Sequence, residues 1–320
     1  MTSSPGRGLL HLAAAVDQPE GHDVGLYAEL ARLAERGGLD FVTLDEACAR
    51  PGPDAPAVLS QVASATRRVG LVPTLSAVPV GLLAVPATIA ALDRVSRGRA
   101  GWRIDPSATN EEALFPDRGG RLVDGDTLRR VDFRGSATPV NGPSAGAGSP
   151  QGRPVRVVEA TDGRVRSVAA RHADVALVRV ASPARARAAR DRLRSEAAGA
   201  GRDPDSLRVM ASLLIDLGDG EHAAHPGNGG GGPRQTPRGP LYRGGPVDLA
   251  DLIVSWRQEG AVDGFHLTPV EPRRDLERLV NGTVALLQYR GLFRTFYPGG
   301  TLREHLGLAR PADRSAGGAA

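Results

Sequence analysis

The chain has 320 residues, with 40 Lys+Arg against 36 Asp+Glu and a formal net charge of +4. No lysine occurs, so all 40 Lys+Arg residues are arginine; a Schiff-base lysine, a lysine base and a P-loop ending in Gly-Lys-Ser/Thr are excluded. The single cysteine, Cys48, rules out intramolecular disulfides and Cys-rich zinc sites.

Short β-like runs alternate with Ala/Leu/Arg helical patterns. The first run is residues 9–15 (LLHLAAA). A helix follows over 24–36, with Leu26, Leu30, Leu33 and Ala34 on one face and Gly37-Gly38 as its stop. A second strand at 39–44 leads to a helix through 57–66. A third strand at 69–75 leads to a helix over about 86–95, and AGWRI (100–104) is a fourth strand. Residues 105–153 lack periodicity and include a Gly/Pro/Ser-rich stretch (135–153), which reads as an excursion without regular structure. The alternation resumes with a strand at 154–160, a helix at 164–172 and a strand at 174–179. A long Arg/Ala helix at 183–198 and a strand at 207–217 follow. A second loose stretch, 218–246, holds Gly229, Gly230, Gly231 and Gly232. A helix at 247–258, a strand at 263–268 and a helix at 275–289 complete the pattern.

Eight strands joined mostly through helices predict a parallel sheet, and eight such units close into a (β/α)8 TIM barrel. We therefore expect an α/β chain with one barrel domain over 8–311. Loop insertions at 105–153 and 218–246 would leave the C-terminal ends of strands four and seven, the barrel's chemical face. Residues 312–320 read as a disordered tail. No uninterrupted apolar run is long enough to span a membrane, and the N-terminal one is too short for a secretory signal. The expectation is a soluble cytoplasmic protein.

Several motifs lack the context their chemistry needs. Gly142, Ser144 and Gly146 spell G-x-S-x-G inside linker sequence, without the strand and helix of a nucleophile elbow. Gly227, Gly229 and Gly232 spell G-x-G-x-x-G where no helix opens. His222 and His225 have no evident third metal ligand. The arginines of 183–202 suit a solvated barrel helix, with neither a nucleic-acid module nor interleaved aromatics. Cys48 suits a small packing residue.

Several segments together carry a resemblance: GLDFVTLDEA (38–47), RRVGLVPTLSAVP (67–79), ATIAALDRVSRGRAGWRID (87–105), QGRPVRVVEATDGRVRSVAARHADVALV (151–178), DGFHLTP (263–269) and RGLFRTFYPGGTLREHLGLARP (290–311). The chain resembles the bacterial luciferase-like flavin-dependent monooxygenases, in the branch of nitrilotriacetate and alkanesulfonate monooxygenases. The resemblance implies a (β/α)8 barrel that uses reduced FMN and O2 on a small organic substrate, with a separate flavin reductase, assembled as a homodimer or tetramer. Two alternatives stand beside it. One is a degenerate member with weak or no flavin binding that acts as an accessory protein. The other is an oxidoreductase using the deazaflavin F420, as other branches do.

The resemblance places the cofactor among strand ends. Asp45 ends strand two; Thr74 and Ser76 end strand three and share a face by the two-residue period. Arg103 and Asp105 end strand four, where Arg103 either meets the flavin or forms a structural ion pair. Thr161, Gly163 and Arg164 open a helix whose N-terminus suits a phosphate, although Thr161 or Asp162 equally suits an ordinary cap. His266 joins Arg103 and Asp105 as a catalytic candidate, or is a buried, satisfied histidine. The chain departs from its relatives in three flavin-contacting regions. It has Glu159-Ala160-Thr161-Asp162 in place of a Gly/Ser-rich phosphate loop, AVPVGLLAVP (77–86) after strand three, and a largely deleted fourth helix.

Overall fold

The computed structural model describes residues 10–18, 23–45, 54–75, 84–104, 149–218 and 232–311. In chain order the barrel strands are β1 (His11–Ala15), β2 (Phe41–Leu44), β3 (Gly70–Leu75), β4 (Gly101–Ile104), β5 (Val155–Glu159), β6 (Val175–Val178), β7 (Arg208–Asp216) and, after a small hairpin, β10 (Gly264–Pro269). Consecutive strands pair in parallel from β1 to β7. β10 pairs with both β7 and β1, which closes the eight-stranded ring. Helices α1 (Val24–Arg36), α2 (Ala55–Ala65), α3 (Ala84–Val95), α4 (Gly163–His172), α5 (Pro183–Gly199) and α6 (Pro246–Gln258) make the connections. Asp23, Asp54 and Ser182 cap α1, α2 and α5 by accepting N–H bonds from the first turn. No helix among the described residues is long and apolar enough to cross a membrane.

The strands are Val/Leu/Ala runs buried on both faces, as parallel strands between helices must be. Their outward residues, such as Leu12, Val42, Leu71 and Phe265, pack under the helices. Their inward residues alternate with these. Ala13, Phe41, Val72, Val155, Val157, Val175, Leu177 and Met210 form an apolar plug in the barrel's lower half. Where β10 closes against β1, Gly264 sits so near the His11 carbonyl oxygen that a Cβ would collide with it.

The second insertion, expected as a loose loop, contains ordered structure. β8 (Arg234–Thr236) and β9 (Gly239–Arg243) form an antiparallel hairpin. β7 has nine residues while β6 has four, so β7 overhangs its neighbour. The overhang pairs with β9 through Leu214, Ile215 and Asp216. The unpaired edge of a long strand thus finds its hydrogen bonds in the insertion itself.

The last helix also differs from its expected form. α7 (Pro272–Arg278) runs into a π-helical stretch (Leu279–Val284) and then α8 (Ala285–Tyr289). The conspicuous C-terminal run folds under the barrel's N-terminal end. Leu302 and Leu306, on or beside α9 (Leu302–His305), and Leu308 complete the apolar plug. A Cβ on Gly70 would lie 2.6 Å from Leu302 Cδ1, so the strand is bare where the plug enters. Two arginines pin this segment. Arg294 binds Asp40 at 3.0 Å and Arg303 binds Asp174 at 3.2 Å. Both carboxylates also accept backbone N–H bonds, from Leu12 and Arg156.

Candidate active site at the barrel mouth

The two-residue period carries each inward face upward from the apolar plug. Ala13 leads to Ala15 and Asp17, Phe41 to Thr43 and Asp45, Val72 to Thr74. Gly101 leads to Arg103, Val157 to Glu159, Leu177 to Arg179, Met210 to Ser212 and Leu214, Gly264 to His266 and Thr268. The side chains therefore change from apolar to charged as the strands reach their C-terminal ends. Asp17, Thr43, Asp45, Arg103, Arg179 and His266 are among the residues lining one recess of about 100 Å³. The hairpin turn contributes Arg238, Gly239 and Pro240 to the same recess.

Arg103 organises the centre. Its Nη2 donates to Asp45 Oδ1 at 2.6 Å and Oδ2 at 2.7 Å. Thr74 Oγ1 donates to the same carboxylate at 2.5 Å. Burial disfavours the guanidinium charge, but Asp45, Glu159 and Asp17 together hold its pKa above the ordinary arginine value. Nε and Nη1 of Arg103 make no hydrogen bond within the described residues. Asp17 faces Asp45 with a different arrangement: its Oδ1 accepts the Asp45 backbone N–H at 2.6 Å.

His266 lies beneath this group, almost fully buried. Nε2 is 2.9 Å from Thr43 Oγ1, and Nδ1 is 3.4 Å from Ser212 Oγ. Burial and the nearby charge of Arg103 push its pKa down to about 3. The ring is thus a neutral hydrogen-bonding group at any ordinary pH. On the far wall Arg179 Nε pairs with Glu159 Oε2 at 3.1 Å. Arg238 projects from the hairpin turn with no carboxylate partner among the described residues.

Of the residues expected from sequence, Asp45, Thr74, Arg103 and His266 come together here. Thr161 lies at the side. Its hydroxyl donates to Glu159 Oε1 at 2.5 Å and accepts the Arg179 backbone N–H at 2.8 Å, so it is committed within the protein. Gly163 opens α4, and a Cβ there would meet nothing nearer than Arg166 at 3.8 Å. Arg164 follows in that first turn; its side chain lies outside the described residues, as do Ser76, Asp105, Cys48 and the His222/His225 pair. Sequence reasoning missed Asp17, Arg179, Ser212 and Arg238. Inward parity discloses the first three: Ser212 lies within β7, and Asp17 and Arg179 continue the period past the apolar runs of β1 and β6.

The model of the luciferase-like monooxygenase family matches residues 7–226. N-acetyl-S-(2-succino)cysteine monooxygenase of Bacillus subtilis (strain 168) is 26% identical, with 91% of each chain covered. Nitrilotriacetate monooxygenase component A of Aminobacter aminovorans is 25% identical, covering 90% of this chain and 91% of its own. The first of these alignments spans 402 positions, more than the 320 residues here, so that relative carries residues this chain lacks. Among solved structures, EDTA monooxygenase from Chelativorans sp. BNC1 superposes with a TM-score of 0.72 at 20% identity, over 95% of this chain and 99% of its own.

Proposed function

Since the chain belongs to the luciferase-like monooxygenase family, we propose that the barrel mouth binds reduced FMN and that the protein is a flavin-dependent monooxygenase acting on a small organic substrate. The observation that carries the reading is the convergence of inward strand ends on one recess holding Arg103, Arg179 and Arg238. The donor set fits reduced flavin, which is an anion with hydrogen-bonding ring atoms. Among the described residues Arg103 and Arg238 offer guanidinium nitrogens without a hydrogen bond, and the mutually bonded, neutral set of His266, Thr43 and Ser212 beneath them adds polarity without adding charge. The recess of about 100 Å³ is below the roughly 300 Å³ of a site enclosing a whole small molecule. It suits one polar edge of the ring rather than the complete cofactor.

Bound reduced FMN supplies the two electrons that activate O2. The protein's part is orientation and exclusion of water. Asp45 and Thr74 fix Arg103, so the nitrogens it leaves without a hydrogen bond among the described residues are aimed before any ligand arrives. The apolar plug beneath His266 closes the site to water from below. For the phosphate, the support is the room beside Gly163, where a Cβ would meet only Arg166, and the general affinity of a helix N-terminus for anions. Gly163 and Arg164 then carry that contact, and Thr161 supports the loop through its bonds to Glu159 and Arg179. The name of the Aminobacter relative, component A, supports a separate flavin reductase as partner. The family resemblance supports a homodimer working in the cytoplasm.

A second reading has its own observation. Thr161 is already engaged and Asp162 adds negative charge beside the phosphate position, which favours a member that binds flavin weakly and serves as an accessory protein. F420 is the third cofactor outcome. Anaerobic titration with FMN, reduced FMN and F420, read by fluorescence of Trp102 and Trp256, separates these. Tight binding of reduced FMN is expected, weakened at least tenfold in Arg103→Ala. Preference for F420 moves the assignment to that cofactor. No binding of any of them at about 1 mM, an affinity of roughly −4 kcal/mol, overturns the enzyme reading and supports the accessory one.

A further inference from the structure

Two carboxylates stand side by side at the mouth, and among the described residues only one has a counterion. Asp45 receives Arg103 on both oxygens and Thr74 on one of them. Asp17, partly buried at the recess wall, receives the Asp45 backbone N–H on Oδ1 and a further contact from its own backbone N–H. No side chain among the described residues hydrogen-bonds or pairs with its carboxylate. The charged and titratable groups around it are Asp45 past β2, Arg103 on β4 and the buried Tyr27 phenol of α1. Glu159, Arg179, His266 and Arg238 stand across the recess. The guanidinium nearest to Asp17 is spent on Asp45, and two adjacent carboxylates cannot both ionise cheaply. Paired acids whose surroundings push them apart divide the roles: one stays ionised, the other keeps a proton.

The reaction has a use for that proton. Reduced flavin held here would supply O2 with two electrons and one proton. With one oxygen atom going to the substrate, release of the other as water would need a second proton. Without an organic substrate the same electrons yield hydrogen peroxide, again with one added proton. We propose that Asp17 is the proton carrier of the barrel mouth, delivering that second proton from its carboxyl group, which no guanidinium pairs among the described residues, and recovering it from solvent. This rests on the flavin reading of the same site. Burial first, and the Asp45 carboxylate second, push the Asp17 pKa up to about 7; the Asp45 N–H and Arg103 oppose them only in part. An acid poised there is both protonated and able to release its proton under ordinary conditions.

The first test needs no flavin. Carbon-13 spectra of the ligand-free protein follow each aspartate carboxyl with pH. A carboxyl titrating near neutrality is expected, absent in Asp17→Asn and moved down by at least one pH unit in Asp45→Asn. Titration of Asp17 near the ordinary value of about 4 overturns the proposal. The second test feeds reduced FMN from a flavin reductase and follows O2 consumption. The wild-type rate attributable to the protein falls as pH rises through about 7, whereas Asp17→Asn is about 100-fold slower and flat between about pH 6 and 8. A wild-type rate and profile in Asp17→Asn overturns the proposal. If FMN does not bind at all, the flavin reading fails and the turnover step with it, even where the carboxyl still titrates near neutrality; the two failures are thereby told apart.

Discussion

Arg103 has one face to give and two carboxylates within reach. Its commitment to Asp45 leaves Asp17 as a destabilising group in the folded state. Between about pH 4 and 7 the native protein holds a proton at Asp17 that the unfolded chain has released. Stability therefore falls as pH rises through that window. Asp17→Asn removes the cost: at pH 8 urea denaturation should show it more stable than wild type by on the order of 2 kcal/mol after allowance for solvent screening, with no gain near pH 3. A variant that gains stability while losing activity is the signature of a group kept for function. His266 has the opposite sign. The native ring stays neutral down to about 3, while the unfolded imidazole takes a proton below about 6.5. Stability contributed by the neutral ring is present above about 6.5 and is lost as pH falls toward about 3. His266→Gln should flatten that acid slope, whatever it does to stability at pH 7. An unchanged slope would show that the ring is protonated in the native state.

At the scale of elements, the strands decide what the sequence discloses. Alternation of apolar runs and helical patterns is a local signal, and it predicts eight parallel strands without knowledge of their contacts. Asp45, Thr74, Arg103 and His266 were legible because each lies on or directly beside a recognisable strand. Asp17 was not, because the apolar run stops at Val16 and hides the continuing inward parity. Arg238 was invisible for another reason. Its hairpin is three and five residues long, and it forms because β7 overhangs β6 and needs a partner. That is a tertiary demand with no local code. Thr161 was legible as a helix-opening residue, but its engagement with Glu159 and Arg179 comes from the neighbouring strand end. Close approach between strands is equally non-local, and it separates two glycines that look alike in sequence. Gly264→Ala places a methyl group against the His11 carbonyl oxygen at the β1–β10 seam, so soluble expression or Tm should drop sharply, by the equivalent of about 3 kcal/mol or more. Gly163→Ala meets open space and should leave Tm within the small range of ordinary surface changes. Equal effects from the two would contradict this account of the seam.

The whole molecule separates stability from chemistry along the barrel axis. At the N-terminal end Leu302, Leu306 and Leu308 fill the bore, while Arg294 and Arg303 meet Asp40 and Asp174. At the C-terminal end the inward positions are polar and, among the described residues, line a recess. Barrels tolerate varied mouths because their packing lies elsewhere, and this chain adds a plug contributed by its own distal segment. Arg208 on β7 strengthens that union by donating to the Leu306 and Gly307 carbonyls. Ending the chain after Gly300 removes Leu302, Leu306 and Leu308 from the plug and strips Asp174 of Arg303, leaving a wet bore and a buried carboxylate short of a partner. A single Leu302→Ala should cost about 2–5 kcal/mol, so the truncation should exceed the stability of an ordinary domain, about 5–15 kcal/mol. The expected product keeps far-ultraviolet helix signal but loses near-ultraviolet dichroism and a cooperative melt. Arg238→Ala, at the opposite end, should melt like wild type and alter only ligand affinity. Calorimetry on the two proteins is the comparison that matters. A cooperative transition surviving the truncation would mean that the strand ring and its helices hold the barrel without the plug.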